Sequence, residues 1–189
     1  MIDLVLRRGP HRAANGHPWV FAGELERLPG PDAGEARLYD ARGAFLGCGL
    51  VNVASQIVWR RYSYFDTPCD EALLRQNLTQ AIEWRERLAP GPARRLVWSE
   101  SDALPGLIVD QYGRVLVVQA LTLGMDRLLP VIAGLLQELL APRAIVARND
   151  ASVRKLEGLD LSTGVLAGDP AGGEVIELDG ISFEIDPLH

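Results

Sequence analysis

Between Asp66 and Glu71 the chain changes its hydrophobic period. Before "DTPCDE", apolar residues alternate in short runs broken by Gly and Pro. After it they recur at helical spacing over long stretches. A period of two selects strands and a period of 3.6 selects amphipathic helices, so one chain must satisfy both geometries in turn.

In the first half, "DLVLRR" alternates and breaks at Gly9-Pro10. "HRAANG" can close one helical turn on Gly16, and "PWVFAGEL" alternates with Trp19 and Phe21 on one face. "RLPGPDAG" is a loop, "GEARLYDARGAFLGCGLVN" splits at Arg42-Gly43 into two strands, and "SQIVWRRYSY" is another strand. These segments predict a small β-barrel over residues 1–67.

The second half, residues 68–189, predicts an α+β domain. "DEALLRQNLTQAIEWRERL" is a helix with Leu74, Leu78, Ala81, Ile82 and Leu88 on one face. "RRLVWSES" is a strand, and "GLIVDQYGRVLVVQAL" is two strands turning at 111–113. "MDRLLPVIAGLLQELL" is a second helix, starting close enough to Pro130 to tolerate it. "RAIVARN" is a strand, and "DASVRKLE" is a short helix capped by Asp150 and stopped by Gly158. Asp179-Gly180 turns a final hairpin that closes the sheet. The fold class expected for the whole chain is therefore α+β.

Composition narrows the function. At 48% hydrophobic and 23% charged residues the chain is an ordinary globular sequence. It holds no long apolar run, and its N-terminus lacks the basic-then-apolar order of a signal peptide. A cytoplasmic protein with no membrane partner is expected. Cys48 and Cys69 have no metal-ligand spacing and read as free thiols. The net charge of −6 is uneven. Residues 1–65 carry eight arginines against six acids, residues 66–155 balance, and residues 156–189 carry eight acids and no base. Contact with a polyanion then requires a local patch.

Two clusters could form one. Arg7, Arg8 and Arg12 surround Gly9, with His11 and His17 near. Glycine lets backbone amides approach a phosphate, and arginine adds a forked donor. Arg60 and Arg61 would extend this patch if their strand lies alongside. Arg148, Asn149, Asp150 and Arg154 gather at a strand end and helix start, where folds present residues to ligands. Spacing alone favours the plainer readings, a solvated rim for the first cluster and a capped, solvated helix for the second. Gly47-Cys48-Gly49 lacks the third glycine and following helix of a dinucleotide fingerprint, and its glycines read as letting a barrel strand bend or approach another backbone. Glu100 and Asp102 are paired acids, but "DALPG" reads as a turn before a buried strand. There is no P-loop, no supportable Ser-His-Asp set and no metal cluster in the pattern.

"GHPWVFAGEL", "SESDALPGLIVDQYGRVLVVQ" and "ARNDASVRKLEGL", in this order, resemble segments of the PUA-domain-containing, S-adenosylmethionine-dependent ribosomal RNA (cytosine-C5) methyltransferases. Ala103 stands where glycine is usual there, and Gln111 where arginine is usual. The resemblance implies an N-terminal PUA barrel, a central α+β domain and a C-terminal Rossmann-like catalytic domain. A hairpin like "VIELDGISFEID" leads into that last domain, so this chain matches the first two parts. Such enzymes add a cysteine thiolate to C6 of cytosine before methyl transfer. Neither Cys48 nor Cys69 matches that cysteine, so this chain alone is expected to bind no cofactor and to methylate nothing. The S-adenosylmethionine is implied for the full-length family member.

The partner so implied is structured RNA, ribosomal RNA first, held by Arg7, Arg8, Gly9 and Arg12 and by Arg148, Asn149, Asp150 and Arg154. Two other classes stay open: a stand-alone PUA-type RNA-binding module, and an adaptor whose acidic C-terminal half binds a basic protein. A homodimer is also left open.

Overall fold

In a computed structural model, residues 1–31, 34–178 and 180–188 are described. The period-two half forms five strands: β1 (Ile2–Val5), β2 (Trp19–Phe21), β3 (Glu35–Tyr39), β4 (Phe45–Val51) and β5 (Ile57–Ser63). They make one sheet in the order β1-β3-β4-β5-β2. β1 runs parallel to β3, and the other pairs are antiparallel. The split at Arg42-Gly43 has a local cause. The Asp40 carboxylate accepts the amides of Arg42 and Ala44, both at 2.8 Å, and Gly43 takes φ +87°. "HRAANG" forms a 3-10 turn over Arg12–Asn15 closed by Gly16 at φ +92°. The strand in "PWVFAGEL" ends early, because Glu24 accepts the Phe21 amide at 2.7 Å and draws Ala22–Glu24 into a 3-10 turn. The loop at 27–34 includes residues 32 and 33, outside the described residues.

After α1 (Glu71–Leu88) come β6 (Ala93–Trp98), β7 (Leu107–Tyr112) and β8 (Val115–Ala120). Then follow α2 (Leu123–Leu140), β9 (Ala144–Asn149) and β10 (Ser162–Gly168). The second sheet has the order β10-β9-β8-β7-β6, antiparallel except for β8 and β9, which α2 joins as a parallel crossover. Asp70 starts α1 by accepting the Leu73 amide at 3.0 Å. α1 and α2 bury Leu74, Leu78, Met125, Ile132 and Leu136 with Leu107, Val109, Leu116 and Val118 of the sheet.

Several expectations are corrected. Leu88, the last residue of α1, is 64% exposed and does not join the buried face of the helix. The residues 99–102 leave the strand for a 3-10 turn, and the β7–β8 turn falls at 113–114, leaving Gln111 and Tyr112 paired. α2 starts at Leu123, so Pro130 lies in its interior, where it removes a backbone donor. The residues 152–157 form a 3-10 helix whose N-cap is Ala151, not Asp150; Gly158 does close it, at φ +75°. β10 is an additional strand. The final hairpin, β11 (Glu174–Leu178) with β12 (Ile181–Ile185), is a separate two-stranded sheet rather than the closing edge of the larger one. Its turn residue 179 is outside the described residues.

β4 joins the two halves. Val51 packs into the first core with Leu4, Leu38, Val58 and Trp59, while Cys48 and Leu50 join the second core. A strand buried on both faces demands close packing. A Cβ on Gly49 would sit 2.3 Å from the Trp59 ring, and one on Gly47 would sit 2.5 Å from the Ser63 carbonyl oxygen. The Gly-Cys-Gly segment is thus fixed by packing.

Candidate nucleic-acid interface

The loop after β1 is tied at both ends. The Arg7 amide donates to the Glu24 carbonyl and its Nε to the Leu25 carbonyl, both at 2.8 Å. The His11 Nε2–H donates to the Arg7 carbonyl at 2.8 Å, and Nδ1 lies 3.2 Å from the Glu24 carboxylate. Between these ties Gly9 adopts φ +140°, with no atom within 4 Å of where a Cβ would stand. The result is a cleft of about 570 Å³ lined by Arg7, Arg8, Gly9, His11, Asp40 and Arg42. Asp40 is held below its ordinary range by the Ala44 and Arg42 amides, so it stays ionised. Three guanidiniums against one carboxylate leave the cleft cationic. Arg12 stands next to His11 with its guanidinium 6.0 Å from the Phe21 ring centre. The structure thus brings Arg7, Arg8 and Gly9 together in one cleft, and Arg12 is not among the residues that line it.

Arg60 and Arg61 do not extend this patch. Arg61 is buried and donates to the carbonyls of Gly16 and Ala13 at 2.8 and 2.9 Å. Arg60 bridges Glu100 at 3.2 Å and Glu157 at 3.0 Å.

The second cluster divides. Asn149 is buried, and its Oδ1 accepts the Ala120 amide at 2.8 Å. Arg154 is only 3% exposed, donating to the carbonyls of Ala120 and Asp160 and pairing with Asp126 at 2.9 Å. Both side chains brace the β8–β9 end from inside. Arg148 pairs with Asp150 at 2.8 Å on the helix-free face of the sheet, and that bond holds the Asp150 carboxyl low. Asp110, Glu184 and Asp186 line the same groove. Asp110 is paired with Arg95 and Asp150 with Arg148, but Glu184 and Asp186 still leave acids in excess, which disfavours a polyanion relative to the Gly9 cleft.

A buried polar joint between the two halves was not visible in the sequence. Glu157 is 4% exposed and accepts from Ser55 Oγ at 2.6 Å and Asn52 Nδ2 at 2.8 Å, as well as from Arg60. Arg60 also lies 5.4 Å from the Trp19 ring centre, and the Trp19 indole donates to Glu100 at 2.7 Å. Burial would raise the Glu100 carboxyl, but bonds from Ser99 and Trp19 and the charge of Arg60 together lower it. Asp102 takes both Arg85 nitrogens, at 2.6 and 2.8 Å. The two acids are therefore committed to structure rather than paired for proton transfer. No local signal marks Glu157, because its partners lie about a hundred residues upstream.

The N-terminus of α2 is closely packed. A Cβ on Gly124 would meet Leu50 at 2.7 Å, and the Leu123 amide lies 3.4 Å from the Glu157 carboxylate. One first-half side chain, Leu50, and the Glu157 carboxylate thus stand against the start of the helix. Cys48 and Cys69 are buried; burial pushes the Cys48 thiol up, and burial with Glu35 and Asp70 pushes Cys69 up to about 12. Neither is a ready thiolate.

Residues 5–64 match the family model of a PUA-like domain. Over 98% of its length the chain is 35% identical to the ribosomal RNA large subunit methyltransferase I of Cronobacter sakazakii, covering 49% of that protein. The enzyme of the same name from Shigella dysenteriae is 35% identical over 100% of the chain, again across 49% of its own length. The chain therefore spans about half the length of the curated relatives it matches. Among solved structures, a Streptococcus mutans protein described as a candidate SAM-dependent methyltransferase shares the fold with a TM-score of 0.79 at 18% identity. That likeness covers 100% of this chain and 50% of the other. A second candidate methyltransferase, solved with SAH, has a TM-score of 0.78 at 18% identity, covering 98% of this chain and 49% of its own. Among the described residues, no helix is long and apolar enough to cross a membrane.

Proposed function

We propose that this chain is the RNA-recognition portion of a cytoplasmic, SAM-dependent ribosomal RNA (cytosine-C5) methyltransferase. Residues 1–67 act as its PUA-like RNA-binding domain and residues 68–189 as its central domain. The observation that carries this reading is the cationic Gly9 cleft inside the segment that matches a PUA-like domain. The names of relatives aligned over the whole chain point the same way.

In this reading the Gly9 loop lets an RNA backbone approach closely, and Arg8 and Arg12 give forked contacts to phosphate oxygens. Arg7 holds the loop to Leu25 and adds charge to the cleft. Arg148 and Asp150 form an outer wall of the central domain, with Asn149 and Arg154 supporting it from behind. This reading leaves cofactor binding and the cysteine chemistry to the Rossmann-like domain expected of a full-length family member.

The test is binding of a structured ribosomal RNA fragment to the whole chain and to its Arg8→Ala/Arg12→Ala variant. The double variant should bind at least about tenfold more weakly at moderate salt. Equal affinity would remove the cleft from the proposal.

A further inference from the structure

A second groove, of about 630 Å³, lies where the two halves meet, lined by Tyr64, Gln80, Trp84, Arg87, Ser101 and the 100–103 turn. Three features distinguish it from ordinary surface. Two large aromatic side chains line it while exposed, Tyr64 at 63% and Trp84 at 53%. Exposed aromatic surface grouped in a groove is uncommon unless something covers it. Tyr64 is also held in place. Its hydroxyl donates to the Gly16 carbonyl at 3.1 Å, and the Arg61 guanidinium lies 4.4 Å from its ring centre.

The groove's acids are mostly neutralised. Glu100 is paired with Arg60 and Asp102 with Arg85, leaving Glu83 beside the exposed cation Arg87. Gln80, Trp84 and Arg87 share one face of α1 by their spacing of four and three. That face offers an aromatic plane, an amide and a cation, and Ser101 adds a hydroxyl across the groove. Finally, one bond ties the groove to the turn that follows the cationic loop. Gly16, which Tyr64 grips, ends the same turn, Arg12–Asn15, that carries Arg12.

We propose that this groove receives an unstacked nucleobase of an RNA strand whose phosphates lie along the Arg8–Arg12 side. Aromatic faces with adjoining amide and hydroxyl groups recognise a flat heterocycle by stacking and edge hydrogen bonds, and nearby arginines hold the connecting phosphates. The inference rests on the RNA-binding reading above.

The experiment uses the whole chain, a single-stranded decamer of uridylate and an abasic ribose-phosphate chain of equal length. Trp84→Ala and Tyr64→Ala should each weaken decamer binding by roughly fivefold to a hundredfold, the loss expected for one stacked base. Neither should change the dependence on salt or the affinity for the abasic chain, and Trp84→Phe should restore most of the loss. Both side chains are largely exposed, so the variants should fold, as circular dichroism checks. If the chain binds the decamer and the abasic chain equally well, or if both alanine variants bind the decamer as the parent does, the groove is not a base site while RNA binding stands. If the parent binds no RNA even at low salt, the RNA-binding reading fails, and this inference with it.

Discussion

Replacing Glu157 with alanine should loosen the joint between the halves. The carboxylate is buried, and three side chains donate to it: Ser55 at 2.6 Å, Asn52 at 2.8 Å and Arg60 at 3.0 Å. Removing one member of a buried charge pair costs about 3–5 kcal/mol, since the remaining charge stays desolvated. Arg60 keeps its contact with Glu100 at 3.2 Å, which places the expected loss at the lower end, about 3 kcal/mol. With a urea dependence of roughly 2 kcal/mol per molar, the unfolding midpoint should fall by about 1.5 M. The assay is equilibrium urea unfolding followed by circular dichroism and by tryptophan fluorescence, which senses Trp19 beside Arg60. Glu157→Gln keeps the shape and one acceptor, so it should fall between the parent and the alanine variant. A loss below about 0.5 kcal/mol, the size of an ordinary surface substitution, would refute the placement of Glu157 at a buried joint.

Other outcomes follow from the same contacts. Gly49→Ala puts a methyl group 2.3 Å from the Trp59 ring and should cost about 1–3 kcal/mol or prevent folding, measured by thermal unfolding. Because Glu100 titrates below its ordinary value in the folded chain, its contribution is present above about pH 4.5 and is lost as pH falls through the lowered value. Urea unfolding across pH 7 to 3 should show that loss, and Glu100→Gln should flatten it. At pH 8 the folded chain should react with a thiol-specific reagent about tenfold or more slowly than the urea-unfolded chain, since both cysteines are buried with raised thiol values. Equal rates would place a cysteine at the surface.

Much of the fold was legible because its signals are local. Asp40 and Gly43 form the turn between β3 and β4 by bonds within five residues, and Asp70 caps α1 three residues on. The buried stripe of α2 follows from its period. β10 escaped detection because "STGVLAG" is an edge strand, mostly exposed and bulged between Val165 and Ala167, so no face imposes alternation. The hairpin was legible as a hairpin but not as a separate sheet, since pairing between sheets is a long-range property. The candidate site shows the same division. Arg7, Arg8 and Gly9 are neighbours in sequence and share a cleft. Arg60, Glu100 and Glu157 meet only through tertiary contacts, so their charges read locally as solvated. Arg154 misled for the complementary reason: a helix arginine ordinarily faces water, and this one is spent on the Ala120 and Asp160 carbonyls.

The most direct test of RNA recognition by the first half is the salt dependence of binding to a duplex-containing ribosomal RNA fragment. If Arg8 and Arg12 each neutralise a phosphate, removing both should lower the slope of log affinity against log salt by about 1.5–2. Affinity at low salt should fall with it. An unchanged slope and affinity in a folded Arg8→Ala/Arg12→Ala variant would contradict the proposal.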